Sequence, residues 1–191
     1  MTLRLIFEWL SLILLIGLGI YVMWIIKNEQ KNYIKNARMV IFKQFKLFTP
    51  TWWSEIPSNS ENELRFKRLD TRYDWEARFI WSPIADHRDI IELFKEHIEQ
   101  RKILFDEDSS IIYNPEDFRE GPLFFSGLFE MVRLEGTATQ DREERLYYDA
   151  FLIREKQSGC FLYAESKSSV LNGLIEGPYF ESVMTRMEQV K

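Results

Sequence analysis

The chain has 191 residues and a formal net charge of −5, and its sequence is 46% hydrophobic and 15% aromatic. This content of apolar and aromatic residues supplies large areas for burial and argues against intrinsic disorder. The sequence has one cysteine, Cys160, which excludes both an internal disulfide and a zinc site built on paired cysteines.

Charge divides the chain into a basic beginning and an acidic remainder. Residues 1–46 contain seven Lys/Arg and two Asp/Glu, and residues 47–191 contain the other 18 and 28, giving net charges of +5 and −10. A basic segment beside a membrane is attracted to anionic lipid headgroups, whereas an acidic domain is repelled by the phosphates of nucleic acid. We therefore expect the membrane lipid bilayer, and not nucleic acid, as a partner.

The segment from Trp9 to Ile26 predicts a transmembrane helix because its eighteen residues carry no charge. As a helix it is roughly 27 Å long, close to the hydrocarbon thickness of a bilayer. Trp9 stands at one end, and Tyr21 and Trp24 stand near the other, where amphipathic rings favour the headgroup level.

Two other interpretations of this segment fit less well. A signal peptide has a shorter apolar region and a small-residue cleavage site, and cleavage at Gly17–Gly19 would leave an exposed apolar start. A buried core helix is usually amphipathic, whereas this segment is apolar all round. The spacing of Gly17 and Gly19 also differs from that of the motif that pairs membrane helices. The segment is therefore expected to be a permanent anchor.

Residues 27–46 are predicted to continue the membrane helix as a basic stalk, because apolar residues recur there at three- and four-residue spacing. The basic side chains expected to contact lipid headgroups are Lys27, Lys31, Lys35 and Arg38. The predicted organisation is a tail and transmembrane helix over 1–26, a basic stalk helix over 27–46 and an acidic domain over 47–191.

Within the domain, alternating residues over 63–69 and 74–81 predict two antiparallel strands. Helical spacing from Ile90 to Ile98 predicts a helix with Asp86 as its N-cap. Strands are further predicted at residues 123–138, 145–155 and 159–166. A last helix is expected to begin at Pro178. The order β-β-α-β-β-β-α predicts an α+β fold, an antiparallel sheet packed with helices, preceded by one transmembrane helix.

No recognisable catalytic motif stands out in the sequence, which lacks the GxSxG, P-loop and GxGxxG patterns. His87 and His97 are ten residues apart on the predicted helix, about 15 Å, so they cannot share one metal. Cys160 lies in an alternating segment and is expected to be a buried small hydrophobe. We predict a non-catalytic domain without a cofactor, and a hydrolase using paired carboxylates stays an alternative.

Trp52 and Trp53 form the candidate contact with a protein partner. Adjacent residues of an extended segment point in opposite directions, so one of the two rings is expected at the surface. In the alternative interpretation both rings lie in the core or cover the edge of the sheet.

The order of elements resembles that of the PsbP-like fold, named for an extrinsic photosystem subunit and shared with a Ran-binding nuclear import factor. The resemblance covers about residues 45–190, with an aromatic segment at Trp52 or Trp53, a strand ending in "IWSP" and the helix "RDIIELFKEHI". A strand ending in "SGCFLYAES", a loop "SSVLNGLIEG" and a helix from "PYFESVM" complete it. The family's metal-related residues have no match here. Members are mainly binding and assembly modules, so the resemblance implies such a role.

These observations predict a single-pass membrane protein whose domain is an interaction or assembly module, with other proteins of a membrane complex as partners. A domain that binds a small ligand or a lipid is the alternative. The excess of Lys/Arg after the span favours a cytoplasmic domain. N-terminal signal-anchors often leave the following chain exported, and the resemblance also points to an exported domain. Both sides therefore stay open.

Overall fold

The structure, a computed structural model, describes residues 3–69, 74–118, 123, 127–141 and 143–190. The chain forms two compact units, Met1–Ala37 and Arg38–Lys191. The first unit is a single helix, α1 (Leu3–Asn36). The second is an α+β domain, so the boundary lies before Arg38 and not at residue 46 as the sequence analysis had it.

Within the described residues, twelve elements follow α1, besides a short 3-10 turn at Pro115–Asp117. They are β1 (Arg38–Phe42), β2 (Phe45–Thr49), β3 (Trp53–Ile56), β4 (Glu63–Arg68), β5 (Glu76–Ser82), α2 (Ile90–Gln100), β6 (Ile103–Tyr113), β7 (Phe129–Gln140), β8 (Glu144–Glu155), β9 (Phe161–Ser168), α3 (Val170–Thr185) and β10 (Glu188–Gln189). The order β1-β2-β10 makes a three-stranded sheet, and β3-β4-β5-β9-β8-β7-β6 makes a seven-stranded sheet. All strand pairings in the described part of the chain are antiparallel, which confirms the predicted fold class.

The prediction of a helix beyond Asn36 is wrong, because β1 and β2 pair as an antiparallel hairpin there. Phe45 and Leu47 alternate with half-buried residues along β2 and are buried in the core. This two-residue period belongs to a strand with one buried face.

The seven-stranded sheet has a helix on each face, and β8 shows how the sequence produces this arrangement. Phe151 and Ile153 of β8 belong to the same core cluster as Phe180 of α3. The alternate residue Leu152 belongs to the other cluster, together with Phe94 of α2. Because successive side chains of a strand point to opposite faces, a strand apolar at every position is buried on both sides.

Both helices begin elsewhere than predicted. The N-cap of α2 is Asp89, whose carboxylate accepts hydrogen bonds from the backbone of Ile91 and Glu92, and not Asp86. Helix α3 begins at Val170, so the segment predicted as a loop is its first half and Pro178 is internal. A Cβ atom at Gly173 would overlap the ring of Tyr147. Gly173 therefore allows close packing of a helix where the resemblance implied a loop.

The strand β6 was missed because its middle is polar and irregular. Its pairing with β7 changes register between Phe105 and Ser110, as in a bulge. Gly136 of β7 faces this irregularity at a φ of 152°, and a Cβ atom there would overlap Ser109. The strand predicted from residue 123 begins only at Phe129, and part of that prediction lies outside the described residues. Residues 70–73, which connect the first two predicted strands, also lie outside the described residues.

Candidate functional site

Helix α1 is long and apolar enough to cross a membrane. Its apolar stretch has a mean hydropathy of 2.4 and none of it is buried. The residues predicted to span the bilayer all lie on this helix: Trp9, Gly17, Gly19, Tyr21, Trp24 and Ile26. The rings of Tyr21 and Trp24 stack with centroids 6.4 Å apart, which places two amphipathic rings together at one end of the apolar stretch.

The basic residues after the span divide between the two units. Lys27, Lys31 and Lys35 are exposed on α1 at four-residue spacing, so they share one face of the helix. Arg38 belongs instead to β1, and its guanidinium donates a hydrogen bond to the carbonyl oxygen of Trp53 at 3.2 Å. Arg38 is therefore not part of the stalk helix on which its predicted role depended.

The two tryptophans meet at a buried carboxylate in what we call the Glu176 cluster: Trp52, Trp53, Arg68 and Glu176. Trp53 Nε1 donates to Glu176 Oε2 at 3.0 Å, and Trp52 Nε1 lies 3.4 Å from the same oxygen. Arg68 Nη1 bonds to Glu176 Oε1. Glu176 is fully buried, so its charge is compensated by one guanidinium and two indole N–H groups.

Only Trp52 remains a candidate for contact with a partner. Trp53 is fully buried, and its ring centroid lies 4.3 Å from that of Trp75. Trp53 is therefore a core residue. Trp52 is half-buried, packs edge-on against Tyr179 at 5.0 Å and lies 5.8 Å from the guanidinium carbon of Arg68. The adjacency of Trp52 and Trp53 predicted that one of the two rings turns inward, but it did not indicate which one.

A second charged cluster, the Arg133 cluster, was not found from the sequence. Arg133 of β7 holds Asp149 of β8 through two hydrogen bonds, from Nε at 3.0 Å and from Nη2 at 2.9 Å. The same guanidinium contacts Glu135 at 2.7 Å and Glu181 of α3 at 3.2 Å. One cation therefore faces three carboxylates. The signal in the sequence was a charged residue with apolar neighbours on each of two strands. These residues are Arg133 in "MVRLE" and Asp149 in "YYDAFLI".

The electrostatics of this cluster favour an added proton. Burial raises the pKa of Asp149 to about 7; Arg133 opposes the shift, and the neighbouring Glu135 and Glu181 add to it. The hydroxyl of Tyr147 donates to Glu135 at 2.9 Å, and burial together with this carboxylate raises the pKa of the phenol. The phenol of Tyr147 therefore stays protonated and remains a hydrogen-bond donor to Glu135.

The Arg133 cluster lies at a cleft of about 700 Å³. The lining residues are Tyr113, Glu116, Asp117, Phe118, Arg133, Glu181 and Thr185. Among the lining residues that the structure describes, three are carboxylates and one is a cation, so the cleft suits polar or cationic groups better than apolar ones. Among the residues that the structure describes, no three His, Cys, Asp or Glu side chains converge as metal ligands would.

The two histidines and the cysteine occupy separate places. His97 stacks on the ring of Tyr163 at 5.1 Å, and burial lowers its pKa, with Arg101 adding to the shift. His87 lies beside Gly159, where an added Cβ atom would overlap its ring. Cys160 is half-buried, and its thiol donates to the carbonyl oxygen of Pro83 at 3.2 Å, in place of the buried position that was predicted.

Comparison with known proteins finds no matching family model and no matching curated protein. Among solved structures, the chain is similar to the solution structure of cyanobacterial PsbP (CyanoP) from Synechocystis sp. PCC 6803, with 12% identity and a TM-score of 0.48 over 81% of this chain and 92% of that one. It is also similar to PA94, a protein of unknown function from Pseudomonas aeruginosa, with 10% identity and a TM-score of 0.39 over 78% and 94%. The weak PsbP-like resemblance is therefore present, as a likeness that transfers no residue role.

Proposed function

We propose that this chain is a single-pass membrane protein whose α+β domain is a non-catalytic interaction or assembly module of a membrane complex. The observation that carries the membrane part is the unburied, uncharged stretch of α1 from Trp9 to Ile26. Apolar area of this extent needs a hydrocarbon environment. The acidic domain that follows from Arg38 then works at the membrane surface.

An exposed apolar edge of the large sheet supports the interaction part. Among the described strands β6 pairs only with β7, so its other edge is open for contact. Ile111 and Ile112 of β6 are exposed there. Ile112 also lines a groove of about 160 Å³ with Phe94 and Ile98 of α2. Apolar side chains around an open edge are typical of protein–protein contacts.

We propose further that the domain lies in the cytoplasm, because six Lys/Arg follow the span within twenty residues and only Arg4 precedes it. The chain with a tag after its C-terminal residue should remain in the membrane pellet after alkaline carbonate extraction. In intact cells the tag should be protected from external protease and cut only after lysis. Release of the wild-type chain by carbonate would contradict the anchor, and cleavage of the tag in intact cells would place the domain on the exported side.

The assembly role predicts a larger complex that depends on the β6 edge. In native gels of membranes solubilised in mild detergent, the chain should migrate with partner proteins, and Ile112→Lys should shift it to the position of the free protein. Ile84→Lys is the control, because Ile84 is an exposed apolar residue of the same domain that lies outside β6. Equal migration of both variants and the wild type would argue against this edge.

The cleft at the Arg133 cluster supports a ligand-binding domain as the second candidate function. Its volume of about 700 Å³ is in the range of small-molecule sites. An apolar cargo between the sheet and α3 finds less support, because Phe180 packs directly against Phe79 and Phe151 there. The ligand of this second candidate is therefore a polar or cationic small molecule.

A further inference from the structure

In the first half of α3, large apolar side chains are exposed, while small or polar residues are buried. Three large apolar residues are exposed, Leu171 by 76%, Leu174 by 62% and Ile175 by 45%. The residues that face inward on the same turns are small or polar: Asn172, Gly173, Glu176 and Gly177. A helix on the surface of a soluble domain normally presents the opposite distribution. We call the three exposed side chains the α3 stripe.

The orientation of this half of α3 follows from its packing. Gly173 lies so close to Tyr147 that any side chain at this position would overlap the ring. Glu176 is held from inside by the indoles of Trp52 and Trp53 and by Arg68. Rotation of the helix to bury Leu174 would break these contacts and expose a compensated carboxylate. The α3 stripe is therefore fixed at the surface.

We propose that the α3 stripe inserts into the headgroup boundary of the lipid bilayer that α1 spans. This inference rests on the membrane anchoring proposed above. Shallow insertion of an apolar helix face by about 5–10 Å is the usual way in which interfacial helices bind membranes. The segment Val170–Gly177 has no charged side chain other than the buried Glu176, so insertion transfers no exposed charge out of water.

The length of the connection keeps a bilayer within reach of the domain. The span ends at Ile26 and the domain begins at Arg38. The last ten residues of α1 extend it by about 15 Å. Because the connection is short, the domain encounters the bilayer at a high effective concentration. A small apolar area is therefore enough to keep the two in contact.

The size of the α3 stripe favours lipid over a second copy of the chain. A stable protein interface commonly uses about 20–30 residues on each side, whereas the α3 stripe consists of three side chains. Lipid tails need no complementary shape. A small, smooth apolar surface is therefore better matched to a bilayer than to another protein.

The residues next to the α3 stripe have the chemistry of a membrane interface. Tyr179 lies one helical turn after Ile175 and packs against the half-buried ring of Trp52. Arg68 lies 5.8 Å from the centroid of that ring. Tyr and Trp favour the headgroup level of a bilayer. The α3 stripe therefore borders aromatic side chains of the kind found between the hydrocarbon region and water.

The test uses the full chain in vesicles of phosphatidylcholine with a minor fraction of phosphatidylglycerol, in a Cys160→Ser background. An environment-sensitive fluorophore is attached through Leu171→Cys, and in separate samples through Ile84→Cys or Leu14→Cys. Leu171 and Ile84 are equally exposed, each by 76%, so Ile84 is the matched control within the domain. Leu14 reports on the span itself.

At position 171 we expect blue-shifted emission, strong quenching by nitroxide lipids and weak quenching by a water-soluble quencher. At position 84 we expect the reverse. Adding Leu174→Gln and Ile175→Gln should return position 171 to the behaviour of position 84. If position 14 is quenched by lipid nitroxides while positions 171 and 84 behave alike, the insertion proposal is overturned and the anchor stands. If position 14 is not quenched either, the proposed anchoring itself has failed.

A third result would also overturn the proposal. In this result, position 171 is shielded from the water-soluble quencher and is not quenched by nitroxide lipids. In vesicles that contain only this chain and lipid, that result would assign the α3 stripe to a second copy of the chain. Circular dichroism of each labelled variant, compared with the unlabelled chain, establishes that the domain is folded in every sample.

Discussion

Replacement of Glu176 by alanine is expected to lower the free energy of unfolding by about 3–5 kcal/mol, the range for breaking one partner of a buried ion pair. Glu176 is fully buried and accepts bonds from Arg68, Trp52 and Trp53. Its loss leaves a guanidinium and two indole N–H groups without their acceptor. It also opens a cavity beneath the helix.

Urea unfolding of the full chain in detergent, followed by tryptophan fluorescence, measures this effect. Glu99→Ala is the matched control, because Glu99 is an exposed glutamate in the last turn of α2, and it should change stability by no more than about 0.5 kcal/mol. Glu176→Gln separates charge from packing, since the amide keeps the shape and one acceptor oxygen. A Glu176→Ala variant as stable as the control would show that the hydrogen bonds of this cluster are not made in solution.

Asp149 is expected to make the domain less stable as the pH rises from about 4 to about 7. Burial raises its folded-state pKa to about 7, whereas an unfolded aspartate titrates near 3.9. Between these values the folded state binds a proton that the unfolded state has released. The stabilising contribution is therefore complete below about pH 4 and is lost as the pH rises through 7. The slope is at most about 1.4 kcal/mol per pH unit.

Asp149→Asn cannot titrate, so the difference in unfolding free energy between wild type and variant should fall by about 1–2 kcal/mol from pH 5 to pH 7. Carboxylates outside the Arg133 cluster titrate alike in both proteins and cancel from this difference. Asp141→Asn, in the exposed turn after β7, is the control for replacing a carboxyl group outside the Arg133 cluster by an amide. A difference for Asp149→Asn that stays constant would mean that Arg133 keeps the carboxylate ionised throughout.

Much of the architecture was predictable because its signals are local. The uncharged stretch from Trp9 to Ile26 determines a membrane-length helix by composition alone. Leu64 and Phe66 are two residues apart on β4 and therefore share one face of the strand. Both are buried, as this spacing predicted. The apolar stripe of α2 likewise faces the sheet. In each case one face of one segment is apolar, and burial of that face needs no information from elsewhere in the chain.

The errors share a different cause, which is dependence on residues distant in sequence. The segment "SSVLNGLIEG" was expected to be a loop, but most of it is helical, and Tyr147 of β8 packs into the space that Gly173 and Gly177 leave. The hairpin β1–β2 forms where a helix was expected, since its buried residues find the core of the domain. Local propensity was a weak guide where tertiary packing decided the outcome.

The charged clusters show the same division. By itself the sequence determined a membrane-length apolar helix, an acidic α+β domain and an aromatic segment with one ring turned inward. Only the tertiary structure decided that Trp53 is the inward ring, that Glu176 receives both indoles, and that Arg133 and Asp149 meet across two strands. A buried charge is stable only beside its partner, and the partner is brought near by strand register and helix docking rather than by closeness in sequence.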